Sequence, residues 1–170
     1  MARITKYGGT KGSTLSVNVN ESILIDGRDY GNRTSWSIPN ITDISRRIVT
    51  VAGGVADQVL MSFGSSVAAG TFIAADVRYI RISNLDDTNE CHIILKNAAN
   101  DEAAVVLDKG QSFIYNGMLN QNEGVASTLE ANAGAVTVSS GGVSNLGNLT
   151  DISVCTTATE VDVEIYVASV

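Results

Sequence analysis

The acidic run Asp86-Asp87-Thr88-Asn89-Glu90 and the looser set Asp26, Asp29 and Asn32 in "DGRDYGN" hold the residue types a hard cation takes. Such a site needs carboxylates and carbonyls gathered by a loop. Neither run has the D-x-[DN]-x-[DN]-G progression with its distant bidentate glutamate, and acidic turns are common wherever antiparallel strands reverse. Both read as turns. Nucleophilic chemistry would need an activated Ser or Cys beside a base, and the sole histidine, His92, directly follows Cys91 in an apparent strand. Neighbours on a strand point to opposite faces, so these two do not make a nucleophile and base pair there. With Cys91, Ile93 and Leu95 turned inward, His92 lies outward beside Ile94 and Lys96.

Other chemistry finds no anchor. The glycine-rich "GGVSNLG" (141–147) lacks the GxxxxGK[ST] spacing, and "GGVADQVLMSFG" (53–64) lacks a strand–loop–helix context, so glycine serves turns here. No particular carboxylate pair stands out for glycoside chemistry. Cys91 and Cys155 have no metal-ligand spacing and read as small buried side chains, a bridge between two strands being the alternative. No catalytic, cofactor or metal residue is therefore nominated. What remains is a set of three cations, Arg3, Lys6 and Lys11, on the acid-free, glycine-broken start "MARITKYGGTK".

The elements that must position these residues are strands. "EVDVEIYVA" (160–168) alternates strictly, Val161, Val163, Ile165 and Val167 against Glu160, Asp162, Glu164 and Tyr166, which predicts a half-buried antiparallel strand with its acids outward. Looser runs of the same kind occupy 13–19, 22–25, 33–38, 46–52, 58–64, 77–83, 91–96, 103–108, 111–116, 135–140 and 151–157, bounded by Gly, Asn, Asp and Ser clusters. The pair 77–83 and 91–96 reads as neighbouring antiparallel strands joined by the loop 84–90. "NITDISRR" (40–47) and "VASTLEANAG" (125–134) give only a turn or two of helical signal. Strands at this spacing predict an all-β chain, an antiparallel two-sheet β-sandwich of jelly-roll type with little helix. Trp36, Phe63, Phe72, Tyr79, Phe113, Tyr115 and Tyr166 supply its core or interface mass.

Composition agrees. Apolar residues are 44% and charged residues 17% of 170, with sixteen Gly and one Pro, a β-rich folding chain sized for one domain. Residues 1–20 read as an extended N-terminal arm and 21–170 as a single sandwich domain. A net charge of −7 argues against nucleic acid as a partner, and the absence of an apolar run of about 18 residues argues against a membrane. With no apolar block after the charged start, assembly in the cytoplasm is expected.

The block "VRYIRISNLDDTNECHIILKNAANDEAAVVLDKGQSFIYN" (77–116), about a quarter of the chain, resembles small virion structural proteins of tailed bacteriophages. Its strand "YIRISNLDDTN" is followed by a partner strand and then by the "GQSF" of Gly110–Phe113. The resemblance implies a capsid decoration (cement) protein: non-enzymatic, cofactor-free, a homo-oligomer and most often a trimer. Such a protein binds the major capsid protein on the outer capsid surface of the virion and braces the shell. Arg3, Lys6 and Lys11 would then meet an acidic surface of the capsid or of a neighbouring copy. The alternative is a tail-fibre, baseplate or other host-binding β-module of the particle; a carbohydrate-active enzyme, which would need a carboxylate pair in a cleft, is the third class.

Overall fold

A computed structural model of the chain describes residues 12–54, 57–98, 102–116, 149–157 and 159–170. Their β-branched and alternating segments form strands: β1 (Ser13–Asn20), β2 (Leu24–Ile25), β3 (Arg28–Asp29), β4 (Arg33–Ile41), β5 (Asp43–Val51), β6 (Gln58–Gly64), β7 (Thr71–Ile73), β8 (Val77–Asn84), β9 (Cys91–Asn97), β10 (Glu102–Leu107), β11 (Ser112–Asn116), β12 (Leu149–Cys155) and β13 (Val161–Ser169). Among the described residues the one helical element is the 3-10 turn Ala74–Asp76. The predicted strand 135–140, the helical signal at 125–134 and the arm cations Arg3, Lys6 and Lys11 lie outside the described residues.

Two sheets carry the core. In the first the order is β11-β8-β13-β5, and in the second β10-β9-β12-β6-β7, with every neighbour antiparallel except β6 and β7. The alternation of β13 makes it a central strand, paired to β5 on one side and β8 on the other. Its Val161, Val163, Ile165 and Val167 share one apolar cluster with Ile80 and Ile82 of β8 and with Cys91, Ile93, Ile152 and Val154 of the opposite sheet. Each fully buried Ile or Leu there contributes about 1.5–3 kcal/mol. The described residues are thus all-β with almost no helix, an arrangement consistent with a β-sandwich. Phe63, Phe72, Phe113 and Tyr115 pack against this core, while Trp36, Tyr79 and Tyr166 belong to a second, outer cluster.

Three expectations change. β8 and β9 are not paired: they lie in different sheets, so loop 84–90 crosses the sandwich instead of closing a hairpin. The physical reason is that both strands carry a buried apolar row, Ile80 and Ile82 against Cys91, Ile93 and Leu95, and two such rows meet best across the core. Secondly, the helical signal at 40–47 gives way to strand. Asn40 sits at φ 62°, the left-handed region that Asn tolerates, and β5 takes its pairing from β13. Thirdly, the two strands expected at 13–19 and 22–25 form, as β1 and β2, but they lie in line as the rising limb of one ribbon. Its register runs unbroken from Leu15↔Ile38 through Asn20↔Arg33, the reciprocal backbone bonds of Glu21 and Asn32, and Tyr30 N–H to Ile23 O, to Ile25↔Arg28.

Candidate functional site

The ribbon turns at Asp26-Gly27, where φ is 50° and 76°; two successive positive values make the type I′ turn that Asp-Gly favours and that matches the twist of the flanking strands. Its second glycine with a structural task is Gly31, where a Cβ would stand 2.4 Å from the Glu21 carbonyl oxygen, so the two limbs approach closely there. The Gly31 N–H also donates to Asp29 Oδ1 at 2.8 Å. Because directly paired residues share a face, the ribbon has two chemically distinct sides. Leu15/Ile38 and Val17/Trp36 lie on one, and the same side continues outward as Val19/Thr34, Glu21/Asn32, Ile23/Tyr30 and Ile25/Arg28. The reverse side is Ser16/Ser37, Asn18/Ser35, Asn20/Arg33 and Ser22/Gly31, polar except for Leu24.

The base of the ribbon lies on the outer face of the first sheet. Leu15, Val17, Trp36, Ile38 and Ile41 pack with Tyr79, Tyr166 and Ala168. Tyr79 and Tyr166 meet edge to face, their ring centroids 5.9 Å apart, and burial pushes the Tyr79 phenol pKa up while Arg81 pulls it down. Beside them Glu164 is buried, its side chain 7% exposed, and it accepts from Arg46 Nε at 2.5 Å and from Arg81 Nη2. Arg81 also stands 5.8 Å from the centroid of Tyr166. The alternation of β13 led to the expectation of outward acids; Glu164 is on that outward face, but the two guanidiniums and the neighbouring strands bury it. A groove of about 210 Å³ runs between residues 15–18 and Tyr79, Arg81 and Tyr166.

Beyond the ribbon the same sheet face is exposed among the described residues. Ile48 and Ile114 are exposed, and Arg46 is largely so. All twelve residues from Glu21 to Asn32 are exposed as well, including Ile23, Leu24, Ile25 and Tyr30. At about 3.3 Å per residue the limb from Asn20 to Asp26 reaches roughly 20 Å. Among the described residues the arrangement is an arm whose tip carries exposed Ile23, Ile25 and Tyr30, beside a patch of exposed sheet.

Loop 84–90 closes upon itself. Asp86 Oδ1 accepts from the Thr88 and Asn89 N–H groups at 2.7 and 2.6 Å, and Asn84 Nδ2 donates to the Asn89 and Leu107 carbonyls. The N–H of Asn89, then that of Thr88, holds the Asp86 carboxyl below its ordinary pKa. Asp86, Asp87, Glu160 and Asp162 line a shallow cleft with Leu85. Among the described residues no three His, Cys, Asp or Glu side chains gather in a way that could hold a metal ion. His92 faces outward, 3.4 Å from Glu90. Cys91 points into the core and Cys155, paired with His92, points away from it, so the two thiols lie on opposite faces and are free. Burial pushes the Cys91 pKa up to about 11.

The catalytic and metal-binding motifs do not single out the residues of the arm and its patch. The Asp26-Gly27 dipeptide between two apolar runs was the available signal, since it marks a hairpin at once. Comparison of the chain with protein-family models, with curated proteins and with solved structures found no match.

Proposed function

We propose that this chain is a non-enzymatic structural component of a bacteriophage virion, a decoration protein that binds the major capsid protein on the outer capsid surface and stabilises the shell. The observation that carries the proposal is the arm, whose exposed Ile23, Ile25 and Tyr30 suit a protein that works by assembling with others. The strand succession adds support. Counted from β5 and with the short β7 set aside, the eight strands fall first-eighth-third-sixth in one sheet and second-seventh-fourth-fifth in the other. In our reading this succession supports a jelly-roll topology, an architecture of viral capsid domains among others, and it supports the function only indirectly and by analogy.

In this reading Arg3, Lys6 and Lys11 steer the chain to an acidic capsid surface. Exposed ion pairs give only about 0–1 kcal/mol each, so affinity comes chiefly from apolar burial and from several copies binding together. Immunogold labelling of purified particles with antibody to this chain tests the proposal. Label over the head is expected; label confined to the tail would instead favour the host-binding module, and unlabelled particles would end both. Removing residues 2–11 should lower head occupancy, and unchanged occupancy would rule out a steering role for the three cations.

A further inference from the structure

The outer face of the second sheet holds a lysine gripped by two carboxylates. Along β9, His92, Ile94 and Lys96 alternate with the core row Cys91, Ile93 and Leu95, so they face outward. Register places Glu102 of β10 directly opposite Lys96, and Ser153 of β12 opposite Ile94. The Lys96 ammonium donates to Asp57, just before β6, and its nitrogen stands 2.9 Å from Glu102 Oε1. Because β12 lies between β9 and β6, the Lys96 side chain crosses a whole strand to reach Asp57. What it crosses is shielded: Ser153 is 0% and Ile94 8% exposed, although both face outward. The Lys96 and Asp57 side chains are themselves only 22% and 29% exposed. An ordinary surface pair sets one cation beside one carboxylate in water. Here an amine is held against one carboxyl group, away from most of the solvent, with a second carboxylate in reach of the same nitrogen.

We propose that Lys96 and Asp57 condense into an intramolecular isopeptide bond, with Glu102 as the catalytic base and acid. One proton passes within the contact from the Lys96 ammonium to the Asp57 carboxylate, leaving a neutral amine beside a neutral carboxylic acid. Lys96 Nζ then attacks Asp57 Cγ and an N–C bond forms. Glu102 takes the next proton from that nitrogen and delivers it to the leaving hydroxyl as the C–O bond breaks. One water departs, Glu102 ends as it began, and no oxidant, metal or activated donor is consumed. Hydrogen bonds to Asp57 and then to Glu102 raise the Lys96 pKa, so the neutral pair is the minor form and the step is slow. Fixed geometry offsets this, since groups held in contact react as if at effective concentrations of about 10⁵–10⁸ M. Losing two charges from a half-shielded site favours the amide as well. The bond staples β9 to the start of β6 across β12 and so restricts the unfolded chain, as a disulfide does. It is a property of the isolated protein and stands whether or not the chain sits on a virion.

Mass spectrometry of the full chain, folded, held for a week at room temperature and then denatured, tests it without any variant. The protein should weigh one water less than its sequence, and digestion should yield a branched peptide joining Lys96 to Asp57. The branched peptide is needed because the exposed Asp26-Gly27 turn can also lose water, by closing a succinimide. Full sequence mass in the folded protein, the result expected of an ion pair alone, would overturn the proposal, and so would a water lost only at Asp26. Lys96→Arg keeps a cation at the site and should keep the full mass; a water still lost between strands in that variant would contradict the assignment. Glu102→Gln leaves Lys96 beside Asp57 and should slow the condensation about a hundredfold, whereas condensation at the wild-type rate would overturn the role given to Glu102. None of these results bears on head labelling, so the two proposals fail separately.

Discussion

Glu164 shows how a single side chain can be read in two ways. By alternation it is one of several outward acids on β13, and in the fold it is a buried carboxylate clasped by Arg46 and Arg81. Sequence periodicity gives the face a residue points to, not what else lies on that face, and the arginines come from strands 118 and 83 residues away. Replacing Glu164 by Gln leaves two guanidiniums facing each other and should cost about 2–3 kcal/mol in urea unfolding, below the cost of breaking a fully buried pair because Arg46 remains in water. Arg46→Ala should cost less than about 1 kcal/mol. A neutral Glu164→Gln would mean that the clasp is not held in solution. The acids of 86–90 are the contrary case, for their turn chemistry was legible: an Asp followed two and three residues later by backbone N–H groups it can accept from is a local pattern, and the structure closes the loop that way.

Among the elements, the strongly periodic strands were legible and the pairings were not. β13, β9 and β8 follow their apolar alternation closely, whereas the expected β8–β9 hairpin is a crossing between sheets, because periodicity alone does not say which buried row faces which. The arm was hidden for a different reason. Its limbs were read as separate short strands, and β3, of two residues, is too brief to alternate. The tip rests on Gly27, which has open space around a would-be Cβ, so Gly27→Ala should act through backbone conformation alone, about 1–2 kcal/mol of local strain. Faster hydrogen exchange at the Ile25 and Arg28 amides, with the global Tm unchanged, is the expected outcome. Unchanged exchange would contradict the turn assignment. At one edge of the first core sheet β5 carries Arg47, whose guanidinium lies about 3.4 Å from where a Gly70 Cβ would stand. Paired with Ile165, it is a charge in an inward register, a device that discourages pairing along that edge.

For the whole molecule, fold class was readable from composition and spacing, while the surface proposed for assembly depends on tertiary structure. A chain with sixteen glycines, one proline and many short β-branched runs has few ways to bury its apolar residues other than two facing sheets. Which part of such a sandwich meets other molecules depends on what the sheets leave uncovered, and that is a property of topology and register. Among the described residues the exposed parts include the arm tip with Ile23, Ile25 and Tyr30 and the outer sheet face with Ile48 and Ile114. The most direct test of the proposed place on a capsid is the number of copies per particle, counted by quantitative mass spectrometry of purified virions against the major capsid protein. Hundreds of copies, in fixed proportion to the shell, are predicted; a handful of copies, or none, would contradict the account.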